Sequence, residues 1–287
     1  MTENDARMGV ANEEEITDLP FNPLNIVMTD EELLEFLQRF GVNTFYNIDR
    51  YRCAFVHKSY CTRKNENFHN GNTKCPDGCL PLQEESYEVL EFIGDAILSK
   101  VVATYLVERY PEQNEGFYTR MRTKLVNGKM LSKLSKDIGF QKYLIISHQI
   151  EESNGRNITS ILEDVLEAFI GAIYMDHMEG GKQATDGDEN ASEWIVNMLE
   201  SNIDFAELIK KNNNYKDTLL KYFRANMGYV PRFVETDITV QNHRKVFKVA
   251  LKDQNDGLIA IGEGGSKKDA ENNASKAALE KLSIPHS

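Results

Sequence analysis

The most constraining feature of this 287-residue chain is a pair of apolar helical stretches that carry carboxylates without partners. Between Glu85 and Arg109 the apolar positions Val89, Leu90, Ile93, Ile97, Leu98, Val101, Val102, Tyr105 and Leu106 recur at helical spacing, and Pro111 closes the helix. A second apolar helix is predicted from Ile158 to Tyr174. Glu91 and Asp95 stand four apart, and Asp164 and Glu167 three apart, so each pair shares one helix face. Basic residues at i±3 and i±4 are missing around all four acids.

An ionised carboxylate held away from water costs several kcal/mol unless something pairs with it. Two readings are open. The acids line solvent-facing helix edges, or they share hard divalent cations with oxygen ligands, as Mg²⁺ prefers. Each acid pair lies beside a mid-helix glycine, Gly94 or Gly171. A glycine costs a helix about 1 kcal/mol and signals close packing, which favours the shared-cation reading.

At these residues the chain resembles the ribonuclease III family. The stretch Glu88-Val89-Leu90-Glu91-Phe92-Ile93-Gly94-Asp95-Ala96 is similar to the family signature, and Asp164-Val165-Leu166-Glu167-Ala168 to its second acidic motif. Two more stretches fall in the family order: Ala54-Phe55-Val56-His57-Lys58-Ser59-Tyr60 upstream of the signature, and the run from Glu115 to Asn127 between the acidic motifs. The resemblance covers about Thr29 to Glu200. It implies an all-α endonuclease domain of the ribonuclease III type, cutting double-stranded RNA to leave 5′-phosphate and 3′-hydroxyl ends.

By the same resemblance, Glu91, Asp95, Asp164 and Glu167 are the metal ligands, with Asp95 and Glu167 central to catalysis. The implied metal is Mg²⁺, with Mn²⁺ as a substitute. Glu88 and Glu115 match further acids with outer-shell or RNA-contact roles, against solvated surface as the plain alternative. Phe92 matches a position that packs into the partner subunit of a homodimer, against an ordinary core aromatic. Arg120, Arg122 and Lys124 are open between holding phosphates, balancing the carboxylates, and plain helix surface.

From Asn214 onward the texture changes. A helix over 215–226 is followed by alternating segments at 232–240, 245–251 and 258–262, separated by the turn sequences Asn242-His243 and Asn255-Asp256-Gly257. An alanine-rich helix at 267–282 completes a small α+β domain of order α-β-β-β-α. The run from Gly262 to Ser275 resembles the most recognisable part of a double-stranded-RNA-binding domain. Lys267 and Lys268 open the last helix, where their charge adds to its positive N-terminus. His243 matches a residue that reaches the RNA minor groove, within a mode of recognition that reads A-form shape. Leu220 and Lys221 depart from the polar pair usual in the first helix of such domains, and Asp217 adds an acid nearby. A protein-binding module on the same fold is the alternative.

Charge distribution agrees with two parts of different work. The chain carries a formal charge of −12, yet residues 214–287 hold 12 Lys+Arg against 9 Asp+Glu, a surplus of +3. The expected layout is a disordered acidic tail (1–27), a catalytic domain (28–203), a linker (204–213) and an RNA-binding domain (214–284). Residues 179–191 read as an acidic loop. No apolar run approaches the ~20 residues that span a bilayer. A soluble intracellular protein is expected, without membrane contact and cytoplasmic in the simplest case.

Cys61, His69, Cys75 and Cys79 are open between a zinc site and free thiols, and their loose spacing favours thiols. A helical metal-carboxylate oxidase is set aside because its Glu-x-x-His motif is missing. A catalytically silent RNA-binding relative is disfavoured because all four acids are present.

Overall fold

The computed structural model describes residues 20–62, 75–183, 185–210, 215–241 and 244–284. The chain forms two compact units, Met1–Asp204 and Phe205–Ser287. The N-terminal unit is helical. It contains α1 (Asp30–Gln38), α2 (Ile48–Cys53), α3 (Glu88–Arg109), α4 (Glu115–Leu125), α5 (Gly128–Ile138), α6 (His148–Glu152), α7 (Thr159–Gly180) and α8 (Asp186–Asn202). Short 3₁₀ turns interleave at Lys58–Tyr60, Phe140–Tyr143 and Gly155–Asn157.

The helix boundaries follow local chemistry. Thr29 caps α1 in a reciprocal box with Glu32, and Gly41 just beyond its end adopts φ +100°, which a side chain disfavours. Asn47, Asn114 and Asn127 cap α2, α4 and α5 through side-chain oxygens. Helix α2 ends at Cys53 and is followed by an extended bend. Here Val56 forms a parallel bridge with Ile145, and the backbone is satisfied across the chain instead of along a helix.

Helices α3 and α7 form the centre of the unit. They meet backbone to backbone at the two glycines. A Cβ on Gly94 would lie 1.8 Å from the Glu167 carbonyl oxygen, and one on Gly171 would lie 2.1 Å from that of Leu90. The matching of 94 with 167 and 90 with 171 shows that the helices run in opposite senses. Around the crossing lies an aromatic core of Tyr51, Phe55, Phe140, Phe169 and Trp194. The Phe140 and Phe169 rings are 4.8 Å apart and the Phe169 and Trp194 rings 5.3 Å.

Three expectations need correction. Residues 20–27 do not belong to a loose tail: Phe21 is in a small apolar cluster, and Asn22 and Asn25 are buried, donating to the Ile146 carbonyl at 3.2 and 2.9 Å. Their polar character satisfies buried backbone and not solvent. Residues 1–19 lie outside the described residues. The acidic loop expected at 179–191 narrows to the few residues between α7 and α8. Asp186, Asp188 and Glu189 open α8, where acids favour the helix N-terminus, and Gly187 lets it approach the Tyr174 carbonyl. The stretch expected as a linker, 204–213, contains a helix, α9 (Phe205–Lys210), whose Phe205, Leu208 and Ile209 stand at helical spacing. Residues 211–214 lie outside the described residues.

In the C-terminal unit, α10 (Tyr215–Asn226) precedes an antiparallel sheet of order β1-β2-β3, formed by Arg232–Gln241, Arg244–Lys252 and Leu258–Gly264, and α11 (Lys267–Lys281) follows. Leu219 and Phe223 of α10, Leu251 of β2 and Ala274, Ala278 and Leu279 of α11 make one core. Small residues set the spacing: a Cβ on Gly262 of β3 would lie 2.1 Å from the Ala274 nitrogen. This is the α-β-β-β-α order read from the sequence.

Candidate metal centre and nucleic-acid interface

The glycine crossing brings acids from both helices to one place. One carboxylate oxygen each from Glu91, Asp164 and Glu167 lies within 4.8 Å of the others, the one metal-competent group of this kind among the described residues. Glu167 is 8% exposed although it is an acid in an apolar helix. Its carboxyl is pushed up to about 8, chiefly by burial and then by the negative charges of Asp95, Glu163, Glu91 and Asp164. Glu91 is raised by burial and by Asp164, and Asp164 by burial against the opposing hydrogen bond from Tyr87. The site is short of positive charge, and its donors are all hard carboxylate oxygens. A divalent cation fits that deficit and that donor chemistry.

Asp95, expected as a fourth ligand, lies one helical turn from Glu91, is exposed, and is outside the close group of three. It still acts on the centre, since its charge helps to raise Glu167, Glu163 and Glu91. Glu88 is outside the close group but its charge helps to raise Glu91 and Asp164; it pairs with Lys58 at 3.1 Å and accepts from Ser86 at 3.2 Å, and the Lys58 bond holds its carboxyl below the usual range. Glu115 opens α4 and accepts from Thr119 at 2.7 Å, and it is not one of the close group of three. On the same helix Arg120 and Arg122 are exposed and Lys124 is half-buried, its amine lowered by burial and by the Arg120 charge.

Two neighbours of the centre were not foreseen. Glu163 precedes Asp164 and stands four before Glu167, so the spacing alone could have found it. Its carboxylate sits at Gly128, the first residue of α5, where a Cβ would be 2.3 Å from it. Burial, Asp164 and Asp95 raise it. Tyr87 is 3% exposed and donates its hydroxyl to Asp164 Oδ2 at 3.0 Å. Nothing in the local sequence marks a bond between residues 77 positions apart.

Phe92 is on α3 with 79% of its surface exposed and Val89 beside it at 71%, so it is not a core aromatic. Cys61, Cys75 and Cys79 pack against the Phe21–Val56–Tyr60–Ile145 cluster, and Cys75 Sγ lies 3.4 Å from the carbonyls of Cys79 and Leu80. His69 is outside the described residues. No helix among the described residues is long and apolar enough to cross a membrane.

In the C-terminal unit Lys267 and Lys268 are exposed at the N-terminus of α11, which Ser266 caps. Lys267 Nζ lies 3.6 Å from Glu235 of β1, so an internal acid offsets part of this patch. Lys221 pairs with Asp217 at 2.7 Å. His243 lies outside the described residues.

Comparison with known proteins agrees with these two units. Residues 88–178 match the ribonuclease III domain, and residues 215–282 match the double-stranded RNA binding motif. A ribonuclease 3 of Legionella pneumophila (strain Corby) is 34% identical over 77% of this chain and 96% of its own length. A probable ribonuclease 3 of Acanthamoeba polyphaga mimivirus is 30% identical over 89% of this chain, which spans 46% of that protein. The crystal structure of the nuclease domain of ribonuclease III from Campylobacter jejuni aligns with a TM-score of 0.46 and 28% identity, covering 62% of this chain and 100% of that one. The chain thus belongs to the ribonuclease III family of metal-dependent, double-strand-specific endoribonucleases, in the form that carries a C-terminal double-stranded-RNA-binding domain.

Proposed function

We propose that this chain hydrolyses duplex RNA as a homodimer, using Mg²⁺ held by Glu91, Asp164 and Glu167, with Asp95 completing the set. The observation that carries this reading is the close group of three carboxylates at the α3–α7 crossing, with Glu167 pushed up to about 8 by burial and then by its acidic neighbours. When bound, the divalent cation supplies the activation of water and the neutralisation of charge at the scissile phosphate. The protein's part is to present Glu91, Asp164 and Glu167 from rigid helices and to release the proton that Glu167 holds in its metal-free state. Products carry 5′-phosphate and 3′-hydroxyl ends.

Phe92, exposed on the same helix as Glu91 and Asp95, supports pairing of two chains across α3. Two such centres cutting opposite strands leave short 3′ overhangs. Glu88 and Glu115 take outer roles, Glu88 through Lys58. The C-terminal domain, 214–284, holds the duplex through Lys267, Lys268 and His243, and the catalytic domain extends to 203. A cytoplasmic place of work is part of this reading.

The test is cleavage of a duplex RNA in Mg²⁺, in chelator, and by Glu167→Gln. Cutting is expected to need the metal and to collapse in the variant while RNA binding persists. Undiminished cutting by Glu167→Gln rejects this metal centre.

A further inference from the structure

Tyr87 is built into its place from both ends. Its backbone N–H donates to the Val56 carbonyl at 2.9 Å, within the bend where Val56 bridges Ile145. Its ring lies 5.8 Å from that of His57. His57 is fixed in turn: Nδ1 accepts the Ser59 N–H at 3.1 Å and lies 2.8 Å from Ser59 Oγ. Ser59 Oγ accepts the Ser147 N–H at 3.0 Å. The motif Ala54–Tyr60, which has no catalytic group in the centre described above, thus forms a brace behind the tyrosine.

The one polar atom of the Tyr87 side chain meets Asp164. Its hydroxyl donates to Oδ2 at 3.0 Å, in a setting where the residue is 3% exposed. An ionised carboxylate offers about four lone-pair sites. A donor fixed on one oxygen limits rotation of the group and leaves the remaining sites for a cation. Outer-shell partners of this kind orient ligands and tune affinity.

We propose that Tyr87 is a positioning residue for the cation centre, its hydroxyl holding the Asp164 carboxylate in the orientation that faces Glu91 and Glu167, with the Ala54–Tyr60 motif as its brace. This rests on the reading of Asp164 as a metal ligand. It gives the upstream motif a role in catalysis without a contact to substrate.

A second buried tyrosine provides the comparison. Tyr51 is also fully buried and donates to Asp176 Oδ2 at 3.0 Å, on the same helix α7 but outside the acidic group. The experiment measures Mn²⁺ binding to the full-length chain by the electron paramagnetic resonance of free Mn²⁺. The chains compared are the parent, Glu167→Gln, Tyr87→Phe and Tyr51→Phe, with circular dichroism to check the fold. Tyr87→Phe is expected to weaken Mn²⁺ binding about tenfold, and Tyr51→Phe to leave it within about twofold. Equal losses in the two variants, or none in Tyr87→Phe, overturn the proposal. A second comparison sets Asp164→Asn against the double variant Tyr87→Phe/Asp164→Asn. If Tyr87 acts through Asp164, the second substitution costs no further Mn²⁺ affinity; an additive loss overturns the idea. The Glu167→Gln arm separates the two readings. Mn²⁺ binding indifferent to Glu167 removes the metal centre itself, whereas Glu167-dependent binding that ignores Tyr87 removes only its positioning role.

Discussion

Replacing Glu167 by glutamine should stabilise the metal-free protein, although it destroys the centre. The neutral amide has the shape of the protonated acid and none of the cost of ionising it. Lifting a carboxyl from 4.5 to about 8 at ~1.4 kcal/mol per pKa unit sets a ceiling of about 5 kcal/mol. Relaxation and water entry bring the expected gain to about 2–4 kcal/mol. The sign follows from linkage: the folded state keeps its proton to higher pH than the unfolded chain. The parent is therefore unpenalised below about 4.5 and loses stability as pH rises towards about 8. Glu91, Glu163 and Asp164 are raised too and steepen the same slope. The assay is thermal unfolding in chelator from pH 5 to 9. For a unit of this size the variant should melt roughly 5–10 °C above the parent at pH 8.5, with the gap closing by pH 5. Added Mg²⁺ should reverse the order by stabilising the parent alone. A gap that is flat with pH, or a glutamine variant less stable at pH 8.5, refutes the reasoning that burial and the neighbouring acids oppose ionisation of Glu167.

Other perturbations test other parts. Gly94→Ala places a Cβ 1.8 Å from a carbonyl oxygen that cannot yield, so α3 and α7 must part. A loss of about 3 kcal/mol in denaturant unfolding, with weaker Mg²⁺ dependence, is expected. Phe92→Asp on an exposed position should leave the melting temperature within about 2 °C while sedimentation shifts from dimer to monomer; an unchanged sedimentation profile counts against pairing across α3. Lys267→Ala with Lys268→Ala should weaken duplex binding and lower the slope of log affinity against log salt by about 1–2. Glu235→Gln should strengthen binding about twofold by releasing Lys267, a modest effect because the pair is exposed.

Much of the catalytic unit was legible because periodicity and chemistry disagreed in the same residues. Val89 to Leu106 gave α3, and the unpaired acids within it gave the centre. Glycines 94 and 171 marked the crossing, because a small residue in an apolar helix has one common use. The bond from Tyr87 to Asp164 was not legible, since it depends on how two distant segments meet. Glu163 was legible in spacing and passed over. The buried asparagines at 22 and 25 were hidden for a different reason: polar composition suggests solvent, yet an amide also satisfies buried carbonyls. The three-residue spacing of Phe205, Leu208 and Ile209 was too short a pattern to stand against the linker reading.

Main-chain contact between α3 and α7 removes the usual means of adjustment at a helix interface. Where the backbones touch at Gly94 and Gly171 no side chain lies between them, so enlarging or trimming a core residue there cannot move one set of carboxylates a few tenths of an ångström towards the other. The separation of the Cα atoms of Glu91, Asp164 and Glu167 is a constant of the architecture, and the reach of each acid is the variable left. Aspartate at 164 and glutamate at 91 and 167 are thus specifications of length as much as of charge.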